Sequence, residues 1–260
     1  MDERSDEVLS KVPAVTLGFW IIKIAATTLG ETGGDELSMS LGLGYALSSL
    51  IFIALFLVAV AAQVRAKAFH PFLYWVVIVT TTTAGTTMAD FADRSLGVGY
   101  PGGSIILAVL LLASLGLWYR VEGSVSVDTV VSPRVEAFYW ITILFSQTLG
   151  TALGDWGADS GLGYGGGALV FSAALAIIVV CHYVTSLPAT LLFWSAFILT
   201  RPLGATVGDF LDKPVDSGGL GMSRLYASLL IALFMVACIV IIPQRAGRHP
   251  GPSGSPRSAG

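Results

Sequence analysis

Trp75–Asp90, WVVIVTTTTAGTTMAD, decides how this chain is read, because the same frame occurs four times. Its apolar start turns polar through Thr80, Thr81, Thr82 and Thr83, then Gly85, Thr86 and Thr87, and ends on a carboxylate. Trp20–Asp35, Trp140–Asp155 and Trp194–Asp209 repeat it without a gap. In each, a glycine (Gly30, Gly85, Gly150, Gly204) stands ten residues after the tryptophan and the aspartate fifteen after it. A fixed internal spacing of this kind marks a repeat architecture, in which one supersecondary unit is copied and stacked.

Each copy is followed by a second apolar run, and a glycine-rich landmark lies between the two. It reads Leu41-Gly42-Leu43-Gly44-Tyr45, then Leu96-Gly97-Val98-Gly99-Tyr100, Gly161-Leu162-Gly163-Tyr164 and, weakened, Gly219-Leu220-Gly221-Met222. Of the 260 residues 54% are hydrophobic and 12% charged, and mean hydropathy is +0.78. Apolar runs near the ~20 residues needed to cross a bilayer recur along the chain. The expected fold is therefore all-α: a polytopic membrane protein with eight transmembrane helices as four parallel two-helix repeats around a pseudo-fourfold axis. The repeats are placed at 13–64, 71–119, 135–185 and 188–242. A polar link occupies 120–134, a tail 1–12, and a disordered tail rich in Pro, Gly, Ser and Arg 243–260. Cys181 and Cys238 lie in apolar spans with no CxxC partner and read as buried thiols.

Charge gives the orientation. Arg4, Lys11, Arg65, Lys67, Arg120, Arg134, Arg245, Arg248 and Arg257 fall on the side of both termini, against Arg94, Lys213 and Arg224 on the side of the aspartates. The positive-inside rule then makes both termini cytoplasmic and places the aspartates at the outer face. Units of two spans all point the same way, so equivalent residues share one depth.

Positions three, seven, eleven and fifteen after the tryptophan share one helix face. They are Lys23, Thr27, Glu31 and Asp35; Ile78, Thr82, Thr86 and Asp90; Ile143, Gln147, Thr151 and Asp155; Phe197, Arg201, Ala205 and Asp209. A polar stripe belongs in the bundle interior and the nearly uncharged second helices against lipid. Small residues ten and fourteen after the tryptophan allow the four first helices to pack closely. Lys23 and Arg201 against Glu31, Asp35, Asp90, Asp155 and Asp209 leave a formal sum of −3. Carboxylates held together cannot all stay ionised without a cation or a proton. Oxygen donors suit Mg²⁺, Ca²⁺ or Mn²⁺, and no His or Cys stands on this face for zinc or copper.

The four tandem units, each with two spans and a tryptophan in the first, resemble a bacterial integral-membrane family built from four copies of a repeat of unknown function. The resemblance covers Trp20 to Ile242, implies a bacterial inner-membrane, multi-pass location, and supplies no activity. Pro202 departs from the pattern, standing where the other copies have Thr28, Thr83 and Thr148, and is expected to kink its helix.

The functional expectation is a transporter or exporter of a small inorganic cation, a divalent metal such as Mn²⁺ or Mg²⁺. Asp35, Asp90, Asp155 and Asp209 are the expected metal ligands, and Glu31, Thr27, Thr82, Thr86, Gln147 and Thr151 the lining of its path. Lys23 and Arg201 are the expected counter-charges. The alternatives are a transporter of a small organic or anionic solute using Lys23 and Arg201, and a structural or sensory membrane protein. No covalent cofactor, nucleic-acid partner or enzymatic activity is expected, since no Ser-His-Asp, Cys-His or metal-His set falls on one membrane face. Apart from the lipid bilayer and the cation, no partner or oligomeric state is implied.

Overall fold

In the computed structural model residues 9–248 are described, and they are all-α apart from two short strands. The acidic start of the chain and residues 249–260 of the tail expected to be disordered lie outside them. Eight α-helices follow in order: α1 Leu17–Asp35, α2 Gly44–Arg65, α3 Pro71–Asp90, α4 Tyr100–Glu122, α5 Pro133–Gly157, α6 Gly163–Val184, α7 Ala189–Asp212 and α8 Arg224–Ile241. Local chemistry explains several starts. Thr16 and Ser132 accept from the amides of Phe19 and Val135, 3.3 Å each, satisfying donors a helix leaves orphaned. Pro71 and Pro133 stand at the first helical position, where a missing N–H costs nothing.

The glycine landmarks turn the chain back on itself. Beyond Asp35 and Asp90 the helix runs on through a π-helical turn, Glu36–Ser40 or Phe91–Ser95, and a third such turn, Ala158–Leu162, follows α5. The reversal falls on paired glycines in the left-handed region, Gly42 and Gly44 (φ 70° and 74°) and Gly97 and Gly99 (φ 70° and 74°), which side chains rarely adopt. The fourth repeat differs: α7 ends at Asp212, and Lys213-Pro214 leads into a 3₁₀ turn at Val215–Ser217. Pro202 does not interrupt α7, which is helical throughout Ala189–Asp212.

The odd helices form a closed cycle in which α1 packs on α3, α3 on α5, α5 on α7 and α7 on α1. The even helices lie outside, each on the inner helix of the next repeat: α2 on α3, α4 on α5, α6 on α7 and, closing the circle, α8 on α1. Every repeat therefore completes its neighbour. The glycine ten residues after each tryptophan explains the tightness. A methyl group at Gly30 would overlap Thr82, at Gly85 it would meet Gln147, at Gly150 Arg201, and at Gly204 Thr27. Each glycine thus receives the residue at position seven of the following repeat. One turn outward, Gly34 meets Thr86, Gly154 meets Ala205 and Gly208 meets Glu31, by the same rule.

The even helices expose Leu50, Leu57, Val58, Ile105, Ile177 and Leu233 among others, an apolar exterior suited to lipid. Among the described residues, six helical stretches are long and apolar enough to cross a membrane. One of them, Pro133–Val184, is α5 and α6 joined through the π turn, inside which Gly161 (φ 96°) departs from helical geometry. Helix α1, with Lys23, Glu31 and Asp35 inside nineteen residues, is not one of the six.

The tails require a correction. Strand β1, Leu9–Pro13, pairs antiparallel with β2, Ala246–Arg248, so part of each expected tail forms one small sheet. Its inner surface is held by Ser10, which donates to the carbonyls of Val127 and Val130 in the central link. Lys11 binds Glu136 at 2.7 Å. Ionic and backbone hydrogen bonds, which hydropathy does not register, order a segment of tail-like composition.

Candidate functional site

All sixteen residues of the four stripes are buried, none more than 5% exposed, so the expected polar face does point inward. They form successive layers down the cycle of odd helices.

The layer nearest the two strands is aromatic. Phe19, Tyr74, Tyr139 and Phe193 immediately precede the four repeat tryptophans, and each meets the tryptophan of the neighbouring repeat. Ring centroids are 5.5 Å apart for Phe19–Trp75, 5.7 Å for Tyr74–Trp140, 6.4 Å for Tyr139–Trp194 and 5.7 Å for Phe193–Trp20. The Tyr74 and Tyr139 hydroxyls share a hydrogen bond of 2.7 Å. The belt packs this end of the bundle with large, tilted rings. The aromatic residue ahead of each tryptophan recurs in all four copies, and that doublet is the sequence signal for the belt.

Ile78, Ile143 and Phe197 line the next layer together with Lys23. Lys23 corrects one expectation, for it is not a counter-charge to any acid. Among the described residues no carboxylate lies within the 4.0 Å of an ion pair. Its ammonium reaches Thr200 Oγ1 at 3.4 Å and lies 4.1 Å from the Phe197 ring centroid, a cation–π position.

The middle of the cycle is closed by Arg201. From α7 its Nη2 donates to Glu31 Oε2 at 2.8 Å on α1, and to the hydroxyls of Thr86 on α3 and Thr151 on α5. One guanidinium therefore ties all four odd helices. Arg201 is a counter-charge as expected, to Glu31 alone. Thr27 does not line an open path, because its hydroxyl donates to the carbonyls of Ile24 and, across the helix contact, Thr200. Thr82 Oγ1 and both amide atoms of Gln147 remain buried without a partner, as do Arg201 Nε and Nη1.

The four aspartates occupy the outermost layer, not as an equivalent ring but as two clamped pairs. Arg94 binds Asp90 at 2.8 Å and Asp155 at 3.1 Å. Lys213 binds Asp209 at 2.9 Å and also Asp35. Both cations stand nineteen residues after their tryptophan, where the other two copies have Met39 and Asp159. Each grips its own repeat's aspartate, one helical turn back, and that of the following repeat. Arg224 adds a contact to Asp212 at 3.3 Å and lies 3.7 Å from Asp35. Burial opposes the charge on Lys213, but Asp209, Asp35 and Asp212 outweigh it, so its pKa stands above the ordinary lysine range. In the sequence these cations served only to set the orientation of the spans. Their registration at the same frame position in the second and fourth copies was the available signal.

Glu31, Asp35 and Asp209 each offer one oxygen, and the three lie within 4.8 Å of one another. That is a buried all-carboxylate donor set of the kind hard cations favour, but Arg201 and Lys213 sit on the same groups. Asp90 and Asp155 form a second locus, on the other side of the cycle.

Comparison with known families identifies the repeat. The family model described as a Repeat of Unknown Function (DUF347) matches residues 18–69, 73–124, 138–187 and 192–243, and the chain belongs to that family. No curated protein and no solved structure matches it.

Proposed function

We propose that this member of the repeat family is an eight-span transporter of a small inorganic cation in the bacterial inner membrane, with its four repeats parallel about a pseudo-fourfold axis along the membrane normal. Both termini face the cytoplasm and the aspartate layer faces outward. The observation that carries the reading is the aspartate layer itself. Each repeat sends one buried carboxylate to a common depth, and each pair shares a single bridging side-chain cation. Two carboxylates against one bridging cation leave each clamp one positive charge short when both acids are ionised, a deficit met by a proton or by a further cation, and this reading gives that place to the cargo.

The conformation is closed. Arg201 bars the axis, and the aromatic belt fills its cytoplasmic end. In this reading Lys213 and Arg94 hold the acids while no cargo is bound. A divalent cation of the Mn²⁺ or Mg²⁺ class, taken by Glu31, Asp35 and Asp209, competes with Lys213 for the same oxygens. Movement of Arg201 between its acid and hydroxyl partners then opens the way past the middle layer. Alternation of this sort requires each state to be favoured by differential contacts, and exchange of a tethered cation for a free one supplies them.

The test is flux of divalent cations into proteoliposomes, paired with thermal unfolding across a metal panel, since a ligand that binds only the folded protein raises its melting temperature. Wild type is expected to carry flux and to respond selectively to one or two metals. Asp35→Asn and Asp209→Asn are expected to abolish both. Undiminished flux in well-folded variants would reject the reading.

A further inference from the structure

Helix α4 carries a tryptophan that α6 lacks, and the difference leaves a cavity. Trp118 stands eighteen residues after the landmark Tyr100. It is fully buried, with its ring centroid 6.4 Å from that of Tyr139 and 5.9 Å from that of Trp194, both edge-on. Those two are the aromatic residue ahead of one repeat tryptophan and the tryptophan of the following repeat. One repeat further on the corresponding pair is Phe193 and Trp20, and the corresponding position, eighteen after Tyr164, is His182. His182 is exposed, and it lines with Phe193 and Trp20 a cavity of about 740 Å³ between α1, α6 and α7. The floor is smaller too, because the lining residues Ala189 and Ala196 stand where the third repeat has Val135 and Thr142. Trp75, Trp140 and Trp194 are buried, whereas Trp20, beside the vacated slot, is only half-buried.

The volume falls in the range of sites for small molecules, about 300–1,000 Å³. Leu17, Val179 and His182 are exposed on its rim, so the cavity opens on the outer surface between α1 and α6, the apolar side of the bundle. Shape and charge define the occupant. The sister slot holds an indole between two tilted rings, a packing that planar aromatic groups favour. Asp128 stands on the cavity wall, its Oδ2 accepting from Ser126 Oγ at 3.3 Å, and no lysine or arginine is among the lining residues described. Residues 1–8 and 249–260 contain no Phe, Tyr or Trp, so the ends of the chain do not supply the ring.

From these observations we infer that the groove is a binding site for an aromatic ammonium ion that enters from the bilayer. Its ring takes the slot that Trp118 fills in the sister repeat, against Phe193 and Trp20, and its positive end lies toward Asp128. The site is outside the cycle of odd helices, apart from the aspartate layer, and stands whether or not the protein moves inorganic cations.

The probe is radiolabelled tryptamine, an indole with an ammonium group, added to the purified full chain in detergent. Saturable binding is expected, with a rise in melting temperature that follows the same curve. Hexylammonium has the charge without the ring, and indole-3-propionate the ring with the opposite charge. Each is expected to compete at least about tenfold more weakly, since each lacks one of the two recognised features. His182→Trp restores the indole of the sister repeat and is expected to abolish tryptamine binding while raising the melting temperature of the unliganded protein. Leu233→Trp, which adds an indole to the exposed face of α8, is expected to bind as wild type does. Asp128→Asn is expected to weaken binding about threefold, the scale of a solvated ion pair. Absence of saturable binding, or undiminished binding in His182→Trp, overturns the site. Equal competition by hexylammonium would make the groove a place for lipid chains, and equal competition by indole-3-propionate would remove Asp128 as the anchor; either rejects the assignment. Should His182→Trp fail to fold, Ala196→Leu narrows the same slot, and unchanged affinity in that variant rejects the proposal.

Discussion

Gly150 lies directly against Arg201, so close that a methyl group on the glycine would overlap Cβ and Cγ of the arginine. The contact joins α5 to α7 and seats the one side chain that binds all four odd helices. Gly150→Ala is expected to destabilise the protein by about 1–3 kcal/mol, the range for overpacking a tight site, and to displace Arg201 from Thr86 and Thr151. Gly33 in α1 is the control, because a methyl group there meets nothing within 4 Å. Gly33→Ala is expected to gain up to about 1 kcal/mol from helix propensity. Thermal unfolding in one detergent compares the two, and equal effects would contradict the packing rule.

Arg201 and Glu31 form a fully buried ion pair at 2.8 Å. Removing one partner strands the other, so Arg201→Met is expected to cost roughly 3–5 kcal/mol. Glu31→Gln added to it removes the stranded charge and is expected to recover most of that loss. A double-mutant cycle on unfolding free energy measures the coupling. Additive losses would show that Arg201 acts through Thr86 and Thr151 rather than through the acid.

The two halves of this structure differed in how legible they were. The repeat frame revealed which face of each first helix is buried, because a helical period of 3.6 residues carries Lys23, Thr27, Glu31 and Asp35 to one side. Position ten revealed where glycine was needed, though not that it receives position seven of the next repeat, a relation that exists only once helices are assembled. The clamps were harder to see. Arg94 and Lys213 follow the apparent ends of their spans, and composition assigns such cations to loops; the π-helical turn after α3 carries Arg94 back over Asp90 instead. The strand pairing of Leu9–Pro13 with Ala246–Arg248 was invisible for a different reason. It joins segments from opposite ends of the chain, neither of which has a pattern of its own.

Lys213 is the clamp whose removal bears most directly on the proposed cation site. Its elevated pKa fixes the sign of the pH effect: a cation held by acids stabilises fully below the ordinary lysine value of about 10.4 and loses that contribution only as pH rises through the higher folded value. Loss of the Lys213 proton therefore does not open the clamp in the neutral range. Lys213→Met leaves Asp35 and Asp209 without it. The variant is expected to be less stable in metal-free buffer and to be stabilised by Mn²⁺ or Mg²⁺ at concentrations at least about tenfold lower than wild type requires, since one tethered competitor has been removed. Arg94→Met applies the same test to Asp90 and Asp155. Loss of stability that no divalent metal restores would make the clamps structural only.

Tyr74 and Tyr139 share the only hydroxyl contact in a belt whose other two members of the set, Phe19 and Phe193, have none. Both tyrosines are fully buried, so deleting one hydroxyl leaves the other without its partner. Tyr74→Phe and Tyr139→Phe are each expected to cost about 1 kcal/mol, an orphaned group being more expensive than an absent one. The double variant converts the belt to four phenylalanines, a composition the frame already accommodates in its first and fourth copies. It is expected to regain most of the loss, because replacing both partners leaves nothing polar to desolvate. Thermal unfolding supplies the cycle, and proteoliposome permeability separates packing from sealing. If the rings alone close this end of the bundle, the double variant holds an ion gradient as well as wild type does. A gradient that decays faster in the double variant at unchanged stability would assign the seal to the hydroxyl pair instead.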